Sequence, residues 1–273
     1  MIDPNAEGLV ARRRTTGTQR SFASARTILA LMLREMSTRY GRTPGGYLWS
    51  LLEPMAAILF LSLGFSLIIR TPPLGTSFLL FYTTGFLPFN IYANMANCTA
   101  RAVSFSKPLL KFPAVTWVHA ILARLFLNSL TDVLIMVILV GGVYFAVDSR
   151  SMLDLPLAIL GVSLAILLGF AVGTVNCVLI SLFPLWELIW GVITRPLFLA
   201  SGVLFLYRDL PDAAQEILWY NPLMQITGMV RAAFYSTYDA SYVSVTYILG
   251  LSLGLLTLGL ILMGRFHHDI LNK

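Results

Sequence analysis

The sequence predicts an all-α integral membrane protein with six transmembrane helices. Only 12% of its 273 residues are charged and 57% are hydrophobic, whereas a soluble domain has about 25% charged residues. The mean hydropathy is +0.78. The apolar residues also group into runs of the roughly 20 residues that a helix needs to cross a bilayer core. The predicted spans lie at about 48–69, 78–100, 115–147, 156–183, 186–206 and 242–264.

An amphipathic helix is predicted ahead of the first span. Between residues 22 and 40, arginines interrupt apolar residues that recur near helical spacing. This pattern is typical of a helix that lies in the membrane interface. The apolar side chains of this interface helix are Ile28, Leu29, Met32, Leu33, Met36 and Tyr40.

The stretch RYGRTPGGYLWSLLEP, residues 39–54, joins the interface helix to the first span. Its glycines and first proline predict a non-helical turn that redirects the chain from the membrane surface into the bilayer. Tyr47 and Trp49 suit the depth of the lipid headgroups. A corner with an aromatic anchor explains the glycines about as well as a gate for a ligand does.

Two further segments lie between spans. Residues 101–113 form a short basic loop with two prolines, and residues 207–241 form a longer amphipathic connection. Asn221-Pro222 interrupts this connection, since proline has no backbone N–H to continue a helix. It therefore predicts two short re-entrant helices that dip into the outer leaflet before the sixth span.

The basic residues predict the orientation. Thirteen Lys and Arg side chains belong to the N-terminal segment, the loop after the second span and the C-terminal tail, against four in the other connections. Basic loops stay in the cytoplasm, so both termini are predicted to be cytoplasmic. The predicted parts are a flexible N-terminus at 1–21, the interface helix and gate loop at 22–46, the six-span domain at 47–264 and a tail at 265–273.

The sequence lacks the motifs that are typical of several classes of enzyme and metal-binding protein. There is no GxxxxGK[ST] phosphate loop, so an ATPase, if one is used, is expected on a separate chain. We find no Ser-His-Asp set, paired carboxylates or Cys-His site, and Cys98 and Cys177 lie in apolar surroundings. We therefore expect no catalysis, metal or cofactor on this chain. The net charge of +6 is explained by orientation rather than by nucleic acid.

One face of the second span carries Asn90, Asn94 and Asn97. These side chains either line a pathway for a hydrated ligand or form hydrogen bonds between helices, each worth about 1 kcal/mol. Aromatic side chains in a membrane protein more often pack in the interior or lie at the membrane interface. Those of this span and its neighbours could also stack on the apolar faces of sugar rings. The candidates for such contacts are Tyr47, Trp49, Tyr82, Phe86, Phe89, Tyr92, Trp186 and Trp190.

Charged residues inside spans are costly and should be paired or face water. Arg124 and Asp132 share a face of the third span and predict an ion-pair ladder. Arg195 in the fifth span is expected to pair with Asp132 or Glu187, although a cationic wall that attracts an anionic substrate is the alternative. Close helix approach is predicted at two GxxxG pairs, Gly169 with Gly173 and Gly250 with Gly254.

Three stretches together resemble a known family. They are RYGRTPGGYLWSLLEP (39–54), RAVSFSKPLLKFPAV (101–115) and LPDAAQEILWYNPLMQITGMVRAAFY (210–235). Their order and spacing resemble the permease subunit of ATP-binding-cassette type-2 exporters, and within them the branch that exports capsular polysaccharide across Gram-negative inner membranes. The last stretch contains the Asn-Pro and downstream Arg typical of the group, here Asn221, Pro222 and Arg231.

The resemblance implies two copies around a central channel, with two separate ATPase subunits that bind ATP and Mg. It implies an ATPase-coupling helix at 101–113 and a gate loop at 41–46, through which a lipid-linked glycan enters. The coupling residues are Arg101, Ser104, Phe105, Lys107, Pro108, Leu110 and Lys111. The gate residues are Arg42, Pro44, Gly45, Gly46, Tyr47 and Trp49.

The implied function is ATP-driven export of a lipid-linked capsular polysaccharide across the bacterial inner membrane, handed on to periplasmic and outer-membrane partners. Alternative cargoes are O-antigen, teichoic acid or a small drug. An ion-driven secondary transporter and a membrane-bound enzyme for lipid-linked sugars are more distant alternatives. Arg208 and Arg231, predicted on the outer side, suit an acidic glycan.

Overall fold

The computed structural model describes residues 23–40, 45–110, 115–147 and 153–272, and within these ranges the chain is helical, with no β-strand. The helices are α1 (Ala23–Tyr40), α2 (Gly46–Ile68), α3 (Phe78–Ala100), α4 (Ala102–Ser106), α5 (Trp117–Ala146), α6 (Leu155–Leu182), α7 (Leu185–Ala200), α8 (Asp212–Leu218), α9 (Pro222–Phe234) and α10 (Val245–Asn272). A 3-10 helix, Tyr207–Asp209, lies between α7 and α8.

Four helices in the described ranges are long and apolar enough to cross a membrane: α2, α5, α6 and α10. They correspond to the first, third, fourth and sixth predicted spans. The second predicted span, α3, has the expected 23 residues, but polar side chains interrupt it and most of its residues are buried. It packs against α2, α5, α6 and α9, and a helix enclosed by protein need not be apolar all round. The fifth, α7, has only 16 residues.

The centre of the fold is the contact of α3 with α6. A Cβ atom built on Gly169 would lie 2.7 Å from the carbonyl oxygen of Tyr92, and one on Gly173 would lie 2.7 Å from that of Ala96. The close approach predicted for this GxxxG pair is therefore confirmed. The second pair makes no such close approach within the described part of the chain. A Cβ atom built on Gly250 or Gly254 would have no neighbouring atom within 4 Å.

The predicted end of the fifth span at residue 206 is wrong, because α7 ends at Ala200. Gly202 follows with a φ of 70°, a left-handed conformation that glycine adopts without steric cost. The chain then turns its carbonyl groups toward a buried arginine of α9, Arg231. The carbonyl groups of this turn thus accept hydrogen bonds from Arg231. They do so in place of the helical hydrogen bonds that would have continued α7.

The sixth helix is longer than predicted. α10 continues to Asn272, although the span was expected to end at 264. Met263, just before the predicted end, and Ile270, on the extension, are buried in an apolar cluster with residues of α4, α5 and α6. Packing against the ends of these helices, rather than against lipid, extends α10 through most of the predicted tail.

The break in the long connection is confirmed. The side chain of Asn221 accepts a hydrogen bond from the backbone N–H of Leu223 at 3.0 Å, and Pro222 occupies the first position of α9, where its missing N–H costs nothing. The Asn221 amide also donates to the carbonyl of Ala200 at 2.9 Å. Protein surrounds α9, since nearly all of its residues are buried and it packs on α6 and α3.

We expect Gly173→Ala to destabilise the protein by about 1–3 kcal/mol, because the new methyl group would overlap a backbone carbonyl that cannot move aside. The matched control is Gly254→Ala, which adds the same methyl group to a helix at a position with open space. Denaturant titration in mixed micelles measures both. Equal stability of the two variants would contradict the close contact of α3 and α6.

Candidate coupling and transport site

The segment predicted to be the coupling helix has one buried and one exposed face. It consists of the five-residue α4 and the turn that follows, 107–110. The buried side chains are Ala102, Val103, Ser106 and Leu110, and the exposed ones are Arg101, Ser104, Phe105 and Pro108. Lys107 is partly buried, and Lys111 lies outside the described residues. The buried face fixes the segment to the bundle, and the exposed face is free to receive another protein.

A buried ion pair joins the interface helix to this region. The Arg124 Nε lies 3.2 Å from the Glu35 Oε1, and both side chains are less than 10% exposed. The same guanidinium donates to the carbonyl of Cys98 at the end of α3 and lies 4.9 Å from the ring centroid of Phe105. One cation thus connects α1, α3, α5 and the exposed coupling segment.

This pairing corrects the predicted ladder of Arg124 and Asp132. Asp132 instead accepts a hydrogen bond from the Asn94 amide at 2.6 Å, and Asn128 donates to the carbonyl of Arg124 at 2.8 Å. Asn94 thus forms a hydrogen bond between helices, one of the two roles considered for the asparagine stripe. Glu35 was missed as a partner, although it is the single acidic residue among the arginines of α1.

A groove opens between α3 and α7. It consists of a cavity of about 310 Å³ and an adjoining cavity of about 540 Å³. The two cavities share Asn97, Arg101 and Glu187. Phe89, Trp190 and Arg195 line the first, and the second reaches the Glu35–Arg124 pair. We call these two cavities the α3–α7 groove.

An exposed ion pair crosses the mouth of this groove. The Arg101 Nη2 lies 2.9 Å from the Glu187 Oε1, and the side chains are 65% and 52% exposed. The predicted pairing of Arg195 with Glu187 or Asp132 is corrected, because Glu187 pairs with Arg101 and Asp132 with Asn94. Arg195 lies eight residues after Glu187, which is about 12 Å further along α7, and it faces the same cavity.

The groove brings together only some of the predicted pathway residues. The predicted pathway residues that line it are Phe89, Asn94, Asn97, Trp190 and Arg195. Phe89 also packs edge-on against Phe198, at 5.1 Å between ring centroids. Phe86, at 6.3 Å from the same ring, lies beside this contact.

Other predicted pathway residues lie apart from the groove. The Tyr82 and Tyr92 side chains are 0% and 3% exposed, inside the protomer. Trp186 donates its indole N–H to the side chain of Asn176 at 2.9 Å. Asn90 is partly buried on α3. The best-placed ligand contacts are therefore those of the α3–α7 groove.

The gate loop is described from Gly45 onward, and Arg42 and Pro44 lie outside the described residues. Gly45 has a φ of 83°, and its carbonyl accepts the first hydrogen bonds of α2. This left-handed conformation explains why glycine stands at the corner. Gly46 is the first residue of α2, and Tyr47 and Trp49 are 45% and 63% exposed, so both can reach lipid or ligand.

At the other end of the bundle, Arg231 is 1% exposed. It donates to the carbonyls of Gly202, Val203 and Phe205 at 2.6 to 2.9 Å. Its guanidinium lies 4.2 Å from the ring centroid of Phe81. Burial lowers the pKa of Arg231 to about 10, which leaves it charged at neutral pH. The idea that Arg231 offers surface charge to an acidic glycan is therefore wrong, and Arg208 alone of the two is exposed.

No group of three or more His, Cys, Asp and Glu side chains in the described ranges is placed to hold a metal ion. Cys98 and Cys177 are not joined by a disulfide. The described side chains offer cations, amides and aromatic rings in an open groove, with the exposed face of residues 101–110 beside it.

Comparison with known proteins gives consistent matches. Residues 26–235 match the ABC-2 type transporter family. The chain is 30% identical over 236 residues to the polysialic acid transport protein KpsM of Escherichia coli, covering 86% of this chain and 92% of that protein. It is 28% identical over 261 residues to the capsule polysaccharide export inner-membrane protein BexB of Haemophilus influenzae, covering 94% and 97%. It is 30% identical over 249 residues to the capsule polysaccharide export inner-membrane protein CtrC of Neisseria meningitidis serogroup A, covering 90% and 92%.

Removing one partner of the buried pair should be costly. We expect Glu35→Leu or Arg124→Met alone to lower the free energy of unfolding by about 3–5 kcal/mol, since each leaves a buried charge without its partner. The double variant should recover most of that loss. Glu187→Leu is the control, because its partner Arg101 keeps access to water and the pair contributes about 0–1 kcal/mol. Additive losses in a double-mutant cycle would contradict the pairing.

Arg231→Lys should destabilise the protein although it keeps the charge. One ammonium group cannot reach all three carbonyls, and each buried carbonyl left without a donor costs about 1–3 kcal/mol. Arg208→Lys makes the same change at an exposed position and should alter stability by less than about 0.5 kcal/mol. Thermal unfolding in detergent compares the two, and similar stabilities would disprove the role of Arg231 in closing the end of α7.

Proposed function

Because this chain belongs to the ABC-2 type transporter family, we propose that it is the transmembrane permease subunit of a capsular polysaccharide exporter. One observation carries the proposal: the similarity extends over 86% to 94% of the chain to inner-membrane proteins named for polysialic acid transport and capsule polysaccharide export. The cargo is a lipid-linked polysaccharide, which crosses the bacterial inner membrane.

In this proposal α3 and α7 complete a six-span protomer with both termini in the cytoplasm. The burial of α3 supports this, because protein rather than lipid surrounds its polar residues. Two copies pair around the transport pathway. The structure of α7 is consistent with this pairing, since none of its residues is buried within the protomer and its face remains available to a second copy.

Two ATPase subunits, which bind ATP and Mg, supply the energy from the cytoplasm. They dock on the exposed face of residues 101–110. A push on this segment is transmitted because its other face is anchored in the apolar core. The Glu35–Arg124 pair joins the interface helix to the same moving unit, and the arginine contacts this unit's exposed face through the ring of Phe105.

A glycan follows the α3–α7 groove in this scheme. Sugar rings present apolar C–H faces that pack on aromatic side chains, and Asn97 and Thr194 can bond their hydroxyl groups. A polymer is longer than the membrane is thick, so it passes stepwise. Periplasmic and outer-membrane partners receive it on the far side.

The proposal is tested by deleting the gene and measuring polysaccharide at the cell surface and inside the cell. Intracellular capsular polysaccharide should accumulate and the surface polymer should disappear, and the intact chain should restore both. Unchanged surface polysaccharide would refute a role in capsule export. Accumulation of O-antigen instead would reassign the cargo within the same family.

A bulky side chain on the docking face should uncouple the permease from its ATPase. We expect Ser104→Trp to reduce export by at least about tenfold, because it occupies an exposed surface that a protein interface must cover closely. Ser236→Trp places the same bulk at an exposed position at the opposite end of the bundle and should leave the ATPase bound. Co-purification of the ATPase and surface polysaccharide are both measured. Normal co-purification with Ser104→Trp would contradict the docking face.

A further inference from the structure

The Arg101–Glu187 ion pair is built so that an external anion can replace one partner. Both side chains are more than half exposed, and exposed ion pairs contribute little net stability. Glu187 lies in the first turn of α7, where the helix dipole stabilises a carboxylate without any cation. The pair can therefore open at low cost, and Glu187 keeps a favourable position when it does.

A second exposed cation lines the same cavity, about 12 Å further along α7 than Glu187. Arg195 lines the α3–α7 groove together with Arg101 and Glu187. In the described part of the chain, no carboxylate pairs with the Arg195 guanidinium. An arginine on an intramembrane helix without a structural partner favours a ligand role. The groove thus holds two cations at different positions along its length and one carboxylate, Glu187, that pairs with Arg101.

We propose that the α3–α7 groove is a binding site for the anionic groups of the cargo, carboxylate or phosphate, and that such a group displaces Glu187 from Arg101 and is passed on to Arg195. This inference rests on the proposed export function and names its substrate class as an acidic glycolipid or glycan. Planar guanidinium groups suit this task because they bind carboxylate and phosphate with two parallel hydrogen bonds.

The exchange also gives cargo a way to act on the coupling segment. The ion pair connects the junction of α3 and α4 to the start of α7. When the anion takes the place of Glu187, this connection is broken and α7 is released from the segment on which the ATPase docks. The permease with bound cargo and the empty permease then differ at the surface on which the ATPase docks.

The test uses the full-length chain in phosphatidylcholine nanodiscs, with oligogalacturonate as the carboxylated probe and its methyl ester as the neutral control. Isothermal titration measures the dissociation constants. The wild type should bind the acidic oligomer at least about tenfold more tightly than the ester, as expected for a charge-assisted contact. Equal binding of the two probes would overturn the proposal.

The variants separate exchange from simple attraction. Glu187→Gln should tighten binding of the acidic oligomer several-fold, roughly the strength of the exposed pair that the anion must break. Arg195→Gln and Arg101→Gln should each weaken it about tenfold. Arg70→Gln, at an exposed arginine that follows α2 and lies outside the groove, is the matched control and should change nothing. Unchanged or weaker binding by Glu187→Gln would overturn the exchange, and thermal unfolding checks that each variant is folded.

Repeating the titration in phosphatidylglycerol nanodiscs identifies the source of the anion. Loss of oligomer binding there, compared with phosphatidylcholine nanodiscs at the same raised salt so that repulsion by the anionic surface is screened, assigns the site to a lipid phosphate, whereas equal binding assigns it to the acidic sugars. The proposed function is tested independently of the exchange, and it is refuted if the deletion strain keeps its surface polysaccharide. Export that depends on the chain, combined with a Glu187→Gln variant that does not bind more tightly, overturns the exchange alone.

Discussion

The whole arrangement depends on enclosing one polar helix in protein. α3 carries the asparagine stripe and is covered by α2, α5, α6 and α9. Its closest neighbour is α6, whose glycines allow backbone contact with Tyr92 and Ala96. Because lipid provides no hydrogen bonds, polar groups at this depth must find partners inside the protein. The Asn94–Asp132 bond is one such partner.

Two buried arginines hold opposite ends of this helix. Arg124 binds the carbonyl of Cys98 at one end, and Arg231 lies over the ring of Phe81 near the other. Each also reaches a different part of the chain: Arg124 reaches the interface helix through Glu35, and Arg231 reaches the turn after α7. Hydropathy alone does not indicate the partners of these charges. The two buried arginines join α3 to the interface helix at one end and to the turn after α7 at the other.

The sequence predicted the elements better than their contacts. Apolar runs located the long helices, and Asn221-Pro222 located the break before α9, because these signals act over a few neighbouring residues. The end of α7 was misplaced since it depends on an arginine of α9, distant in sequence. The partners of Arg124 and Glu187 were missed for the same reason. Arg101, Phe89, Asn97, Trp190 and Arg195 were predicted as site residues individually, but their common groove is a property of tertiary packing.

The early end of α7 also affects the lipid around the protein. Sixteen residues at 1.5 Å per residue make a helix of about 24 Å, several ångströms shorter than the roughly 30 Å of a bilayer core. A short span is accommodated by local thinning of the bilayer. In the proposed six-span protomer, the turn around Arg231 would therefore draw the outer headgroups inward beside α7, and a hydrophilic polymer that follows this helix would have less hydrocarbon to cross.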